Sequence, residues 1–176
     1  STKGIETKRD LSAFLIYHQD DIDAVAHFVD RFGRLFRTVH TRGVTDGDDF
    51  VGSPSDAEII SSIRARYICD ASLAVVLLGT STWTQRFVDW EIAAAIASPQ
   101  DAALPLVLFD LQPRARGRTP LPPRLTSAGT LSLGRVDDPQ SVRALATAVD
   151  QAMACAEARP PGPNPSADPL LRHDLN

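Results

Sequence analysis

The stretch 72-SLAVVLLGTSTWTQRFVDWEIAAAI-96 decides the fold. Its first part, Ser72 to Gly79, is a near-continuous apolar run, the pattern of a strand buried on both faces at the centre of a parallel sheet. The rest reads as a helix. On a wheel, Val88, Trp90, Ala94 and Ala95 spread around Phe87, while Gln85, Arg86 and Asp89 take the other side. Glu91 falls inside the apolar arc. A carboxylate held there is partly desolvated, which raises its pKa unless donors or a ligand satisfy it, and such acids concentrate at functional sites. From periodicity alone, Glu91 is either a site acid or a structural glutamate tied to a loop amide or an arginine.

The same alternation of strand and helix runs along the rest of the chain. "SAFLIYH" (Ser12 to His18) has strand composition, and Asp20 or Asp21 then caps a helix with Ile22, Val25, Ala26, Val29 and Phe32 on one face. "FRTVH" is a second, more polar strand, followed by a loop from Thr41 to Ser53 carrying Gly43, Gly47 and Gly52. Pro54 suits a first helical turn, Ser55 to Glu58 offers an S-x-x-E cap, and Ile59, Ile60, Ile63 and Tyr67 form the buried face of the helix that follows. "LPLVLFDL" is a fourth strand and "TLSLGRV" a weaker fifth. Asp138-Pro139 caps a last helix with Val142, Leu145, Ala146, Val149, Ala152 and Met153 on one side. Alternating strands and helices imply parallel β-α-β units with right-handed crossovers. The expected class is therefore α/β, an open doubly wound parallel sheet of five strands in the order 2-1-3-4-5. The expected organisation is a polar leader at 1–11, one domain at 12–158, and a proline-rich tail at 159–176, extended or disordered and outside the core.

Composition narrows the classes of function. A chain of 176 residues with a formal net charge of −4 has the size of one domain and lacks the dense cationic excess of a general nucleic-acid binder. Small molecules or proteins are the expected partners. Cys69 and Cys155 stand far apart with no ligand spacing, so neither a zinc site nor a disulfide framework is expected, and both read as core or helix-packing residues. The apolar runs are far shorter than the ~20 residues that cross a bilayer, and "STKGIETKRD" has no apolar signal segment. The expectation is no membrane and a cytoplasmic location.

In an open α/β sheet, ligands bind beyond the carboxyl ends of the strands, where the strand order reverses. In the order 2-1-3-4-5 that point lies between strands one and three, which release "YHQDD" and "GTSTW". Tyr17, His18, Asp20, Ser81, Thr82 and Trp83 are expected near that crevice, with Asp110 from strand four. Each has a plainer role too: His18 as a loop hydrogen-bonder, Asp20 as a helix cap, Trp83 and Trp90 as core aromatics. The glycine-bearing loop is either a lid or simply mobile, and the four arginines of "QPRARGRTPLPPR" read best as a solvated loop. No G-x-G-x-x-G, P-loop, G-x-S-x-G or H-E-x-x-H is present, so classical dinucleotide, NTPase, hydrolase and zinc-protease readings lack support. A phosphoacceptor receiver shares the sheet order but wants an aspartate where strand three here ends in "LLGTS".

Three blocks carry a resemblance: "FLIYHQDDID", "SDAEIISSI" and above all "SLAVVLLGTSTWTQRFVDWEIAAAI". With them the chain resembles TIR-like domains, and within that group the Thoeris antiphage-defence TIR proteins, from about Ala13 to Asp110. The last block is similar to the family's apolar strand ending in Gly, then Ser/Thr-rich residues, then an aromatic four residues before the catalytic glutamate. The family usually has tryptophan at that aromatic position; this chain has Phe87, which fills much of the same space.

The resemblance implies an enzyme that takes NAD as substrate, needs no cofactor or metal, and cuts the bond between nicotinamide and its ribose. Thoeris members are similar in turning ADP-ribose into a cyclic signal that activates a separate effector protein. On this reading Glu91 is the catalytic residue, Trp83, Phe87 or Trp90 hold the base, and Tyr17, His18, Asp20, Ser81 and Asp110 line the pocket. A homo-oligomer is a further implied partner, since related TIR sites are often completed by a neighbouring subunit. Two rivals stay open: a non-catalytic TIR adaptor, in which Glu91 is structural, and a deoxyribosyltransferase-like enzyme, which also sets a glutamate near a ribose.

Overall fold

The computed structural model describes residues 7–52, 55–96, 103–112, 119–127, 133–158 and 169–175. Its elements alternate as the sequence implies: β1 (Arg9–Ile16), α1 (Ile22–Phe32), β2 (Phe36–His40), α2 (Asp56–Ile63), β3 (Leu73–Leu78), α3 (Arg86–Ile96), β4 (Leu106–Asp110), α4 (Pro123–Ser127), β5 (Leu133–Val136) and α5 (Val142–Ala158). The five strands form one sheet in the order β2-β1-β3-β4-β5, and every neighbouring pair is parallel. This is the doubly wound α/β architecture and strand order expected.

Alternate strand residues feed two core layers, as the period-2 pleat requires. Phe14, Ile16, Ala74, Val76, Leu78, Leu106 and Leu108 face the side holding α2 and α3. Ala13, Leu15, Leu73, Val75, Leu77, Val107 and Phe109 face α1 and α5. β3 lies between two paired neighbours and is buried along its whole length, which accounts for its unbroken apolar sequence. At the opposite edge of the sheet, α5 packs so tightly on β5 that a Cβ on Gly134 would lie 2.1 Å from the carbonyl oxygen of Ala148.

Several expectations need correction. β1 starts at Arg9, inside the stretch expected to be leader, and Tyr17 and His18 lie beyond its end. The buried face of α1 keeps Val25 and Phe32 of the expected stripe and adds Phe28, while Ile22 is 54% and Val29 38% exposed. The two phenyl rings meet Phe109 at 5.2 and 5.5 Å, and their larger apolar area decides which way the helix turns. Ser55 caps α2 as expected, accepting from the Glu58 amide, whereas Pro54 lies outside the described residues. After Ile63 the helix widens into a π-turn, Arg64–Ile68. α5 starts one turn later than expected, with Ser141 and not Asp138 as its cap; Ser141 Oγ accepts from the Ala144 amide and Asp138 from the Gln140 amide. Cys69 and Cys155 are exposed, not core.

The largest departures surround α3. It is buried on all sides from Phe87 to Ile96, including Asp89, expected on a polar face. Asp89 pairs with Arg124 of α4, one of the four arginines expected in solvent; the other three lie outside the described residues. The described part of the tail, residues 169–175, lies against the N-terminal half of α3, with Leu170 only 4% exposed. Leu170 joins the core and the segment is docked on α3, whereas the expectation placed all of 159–176 outside the core.

Candidate functional site

A parallel sheet gathers the carboxyl ends of its strands on one edge. There β1 releases Tyr17, β2 ends in His40 ahead of the loop 41–52, and β3 ends at Leu78, followed by Gly79 and the turn into α3. Glu91 lies in the second turn of α3 and is 5% exposed. Its carboxylate lies directly under the loop after β2. A Cβ on Gly43 would come within 2.8 Å of Oε2 and 2.9 Å of Oε1, so only glycine lets the backbone descend this far. The adjacent Val44 amide donates a hydrogen bond to the carboxylate.

Burial pushes the Glu91 pKa well above the ordinary glutamate range; the Val44 amide opposes that shift and the nearby Asp48 charge adds to it. Tyr17 is raised by burial and then by Glu91, and its hydroxyl donates to the carbonyl of Thr41 at 2.6 Å. Tyr67, delivered by the π-turn, donates to both oxygens of Asp48 at 2.8 and 2.9 Å. Burial, together with that carboxylate, pushes its phenol up to about 12.

The loop is ordered by its own bonds. The Thr45 amide donates to Asp48 at 2.8 Å, Arg66 pairs with Asp49 at 2.6 Å, and the Arg66 guanidinium lies 5.0 Å from the centre of the Phe50 ring. In front of Gly43 opens a cleft of about 900 Å³, lined among others by Tyr17, His40, Arg42, Asp48, Arg66 and Tyr67. The buried Nε2 of His40 has no partner among the described residues. Glu91 is thus one glycine away from a space large enough for a nucleotide fragment. Among the described residues no cluster of three or more His, Cys, Asp or Glu could hold a metal ion.

Of the residues expected from the sequence, Tyr17 and Glu91 come together. The others take structural positions. His18 Nδ1 accepts from the Asp20 amide at 3.0 Å, and the Asp20 side chain is 74% exposed. The crevice between β1 and β3 is filled by Asp21, whose carboxylate lies against Gly79, so the open space has moved toward β2. The Ser81 carbonyl accepts from the Thr84 amide and hydroxyl, and Thr82 closes the end of β3 by bonding Gly79 and Leu77. The Trp83 indole donates to the Thr80 carbonyl. Phe87 packs on Trp90 at 5.2 Å, and the buried Trp90 donates its indole N–H to the Leu171 carbonyl, the core-aromatic position that was one of its two expected roles. Asp110 pairs with Arg135, leaving its buried Oδ1 without a partner among the described residues.

Sequence reading missed Asp48, Tyr67 and His40 as site residues. The only signal was compositional, an acidic and glycine-bearing loop that could fold back. Tyr67 was obscured by its place in a helical apolar pattern that the π-turn breaks.

No curated protein matches the chain. A model of the family described as "Thoeris protein ThsB, TIR-like domain" matches residues 14–114, more than half of the chain. The matched span runs from the last three residues of β1 through β4 and contains the loop over the carboxylate and α3 with Glu91. The chain belongs to the ThsB TIR-like domain family of Thoeris proteins.

Proposed function

We propose that this chain cleaves NAD, releasing nicotinamide and converting the ADP-ribose part into a cyclic signal for a separate effector protein. The observation that carries the reading is Glu91, a buried carboxylate on the second turn of α3, beside an open cleft and beneath a glycine-bearing loop. The bond to be broken joins the ribose C1′ to the nicotinamide nitrogen. Its electron pair leaves with the base and neutralises the pyridinium charge, so no strong general acid is required. The positive charge that develops on the ribose is stabilised by an ionised carboxylate, most strongly where water is excluded. Glu91 has that environment. Burial favours its protonated form in the free protein, and an arriving cationic nicotinamide riboside favours the ionised one.

Access requires movement. With Gly43 against both oxygens, the carboxylate has no room for a ribose, so the loop must lift from Glu91 before substrate engages it. Water excluded by the apolar surroundings of Glu91 leaves the sugar to be captured by another group of the same molecule, which yields a ring. The adaptor reading draws on one observation, that the Val44 amide already satisfies Glu91 as it would a structural acid. Mass spectrometry of small molecules from cells expressing wild type or Glu91→Gln, with and without phage, separates the two. The enzyme reading expects loss of NAD and an ADP-ribose-derived product in cells expressing the wild type and in none expressing Glu91→Gln. Unchanged NAD in all four samples supports the adaptor.

A further inference from the structure

The N-terminal half of α3 and the turn before it are held by a set of polar contacts to α4 and the C-terminal segment. Asp89 is 3% exposed, and its carboxylate accepts from Arg124 Nε at 2.8 Å, Arg124 Nη2 at 3.2 Å and the Leu171 amide at 2.9 Å. Arg124, itself 4% exposed, also donates to the Pro169 carbonyl at 3.0 Å. The Trp90 indole donates to the Leu171 carbonyl at 2.6 Å, the Arg86 amide to Asp174 at 2.9 Å, and the Leu175 amide to the Thr84 carbonyl at 2.6 Å. The far side of the same segment is tied to α2, where Asp56 accepts from the Leu170 amide and pairs with Arg172.

These contacts matter because the C-terminal half of α3, Ile92-Ala93-Ala94-Ala95-Ile96, is smooth and apolar. The three alanines between the isoleucines give this part of the buried helix few side-chain features to define its rotation, whereas satisfied buried polar networks specify one arrangement. Asp89 and Glu91 are two residues apart, so they project to roughly opposite sides of the helix. Fixing Asp89 against α4 and the C-terminal segment therefore fixes Glu91 toward Gly43.

We propose that Asp89, clamped by Arg124 and residues 169–175, is a positioning residue that sets the rotation of α3 and so aims Glu91 at the loop and the cleft. Its importance for catalysis rests on the function proposed above, but its effect on Glu91 does not. The hydrogen bonds of residues 169–175 run to α2, to α4, and to α3 with the turn before it, so they bear on Glu91 through the helix.

The test follows the Glu91 carboxyl carbon by NMR in full-length protein labelled with 13C-glutamate. The chain has four glutamates, Glu6, Glu58, Glu91 and Glu157, and Glu91→Gln assigns the signal. Asp89→Asn weakens the clamp, and Trp90→Phe removes one strap bond while leaving the buried ion pair intact, so the second variant carries the test if the first does not fold. In both, the Glu91 midpoint is expected to fall by about one pH unit or more toward the ordinary glutamate range as the acid becomes less enclosed. NAD turnover is expected to show kcat reduced about tenfold with KM within about twofold. Asp56→Asn, which loosens the strap only on α2, is expected to lower thermal stability and leave the Glu91 midpoint unchanged. An unmoved Glu91 signal in folded Trp90→Phe, or the same shift in Asp56→Asn, overturns the positioning role. A shifted signal in protein that never consumes NAD upholds the positioning and overturns the proposed function instead.

Discussion

Gly43 and Glu91 are in direct contact: the place where a side chain would begin on Gly43 is 3.0 Å or less from all three atoms of the Glu91 carboxylate. The acid and the loop above it are one unit, and whatever moves one is felt by the other.

Gly43→Ala tests that unit. A methyl group at 2.8 Å from a buried oxygen forces the loop or the glutamate aside, and overpacking of this kind costs about 1–3 kcal/mol. In a Glu91→Ala background the clash has no partner, so the same substitution costs much less. Urea unfolding of the two single variants and the double variant measures the difference, and strict additivity contradicts the contact.

Glu91 sets a pH dependence of stability. Its pKa is raised in the folded chain, so below the ordinary glutamate range both folded and unfolded chains hold the proton and nothing is lost. As pH rises through that range the unfolded chain ionises first, and wild type loses about 1.4 kcal/mol per unit of the shift until the folded acid ionises too. Glu91→Gln has no such term. Its stability advantage over wild type is expected to grow from weakly acid pH and then level off, as read by chemical denaturation at a series of pH values.

Both tyrosines of the chain, Tyr17 and Tyr67, have raised phenol pKa values. Ultraviolet titration of the native protein is expected to show much less than half of the tyrosinate signal at pH about 10, where free phenols are half ionised. Asp48→Asn removes the negative acceptor beside Tyr67 and is expected to bring forward one of the two transitions.

The Asp89–Arg124 pair is a buried ion pair of fixed geometry. Arg124→Ala strands the carboxylate and is expected to cost about 3–5 kcal/mol, whereas replacing both partners by apolar residues of similar volume is expected to recover most of that loss. Denaturant midpoints for the single and double variants decide it.

The sheet was legible because its signals are local. The apolar run of β3, the Ser55 cap and the alternation of strand and helix each lie within a few residues of chain. Glu91 stood out for the same reason, as an acid in an apolar arc. The residues around it were harder to read because their partners are distant in sequence. Asp89 meets Arg124 across 35 positions and Leu171 across 82, and no helical wheel distinguishes a polar face turned to water from one turned to a buried arginine. Tyr67 reaches Asp48 because a π-turn shifts the helical period after Ile63, a departure that the residue types do not announce. The crevice expected between β1 and β3 is occupied by the Asp21 side chain, which sequence position alone leaves free to point elsewhere.

The central claim is that Glu91 acts on the ribose of NAD. It is tested most directly by following nicotinamide release from NAD by purified wild type and Glu91→Gln across a pH series. The account expects wild-type kcat/KM to rise with pH to a plateau, with a midpoint above the ordinary glutamate range. It expects Glu91→Gln to be slower by about 100-fold or more and flat over the same range. Equal rates for the two proteins, each shown to be folded, contradict it.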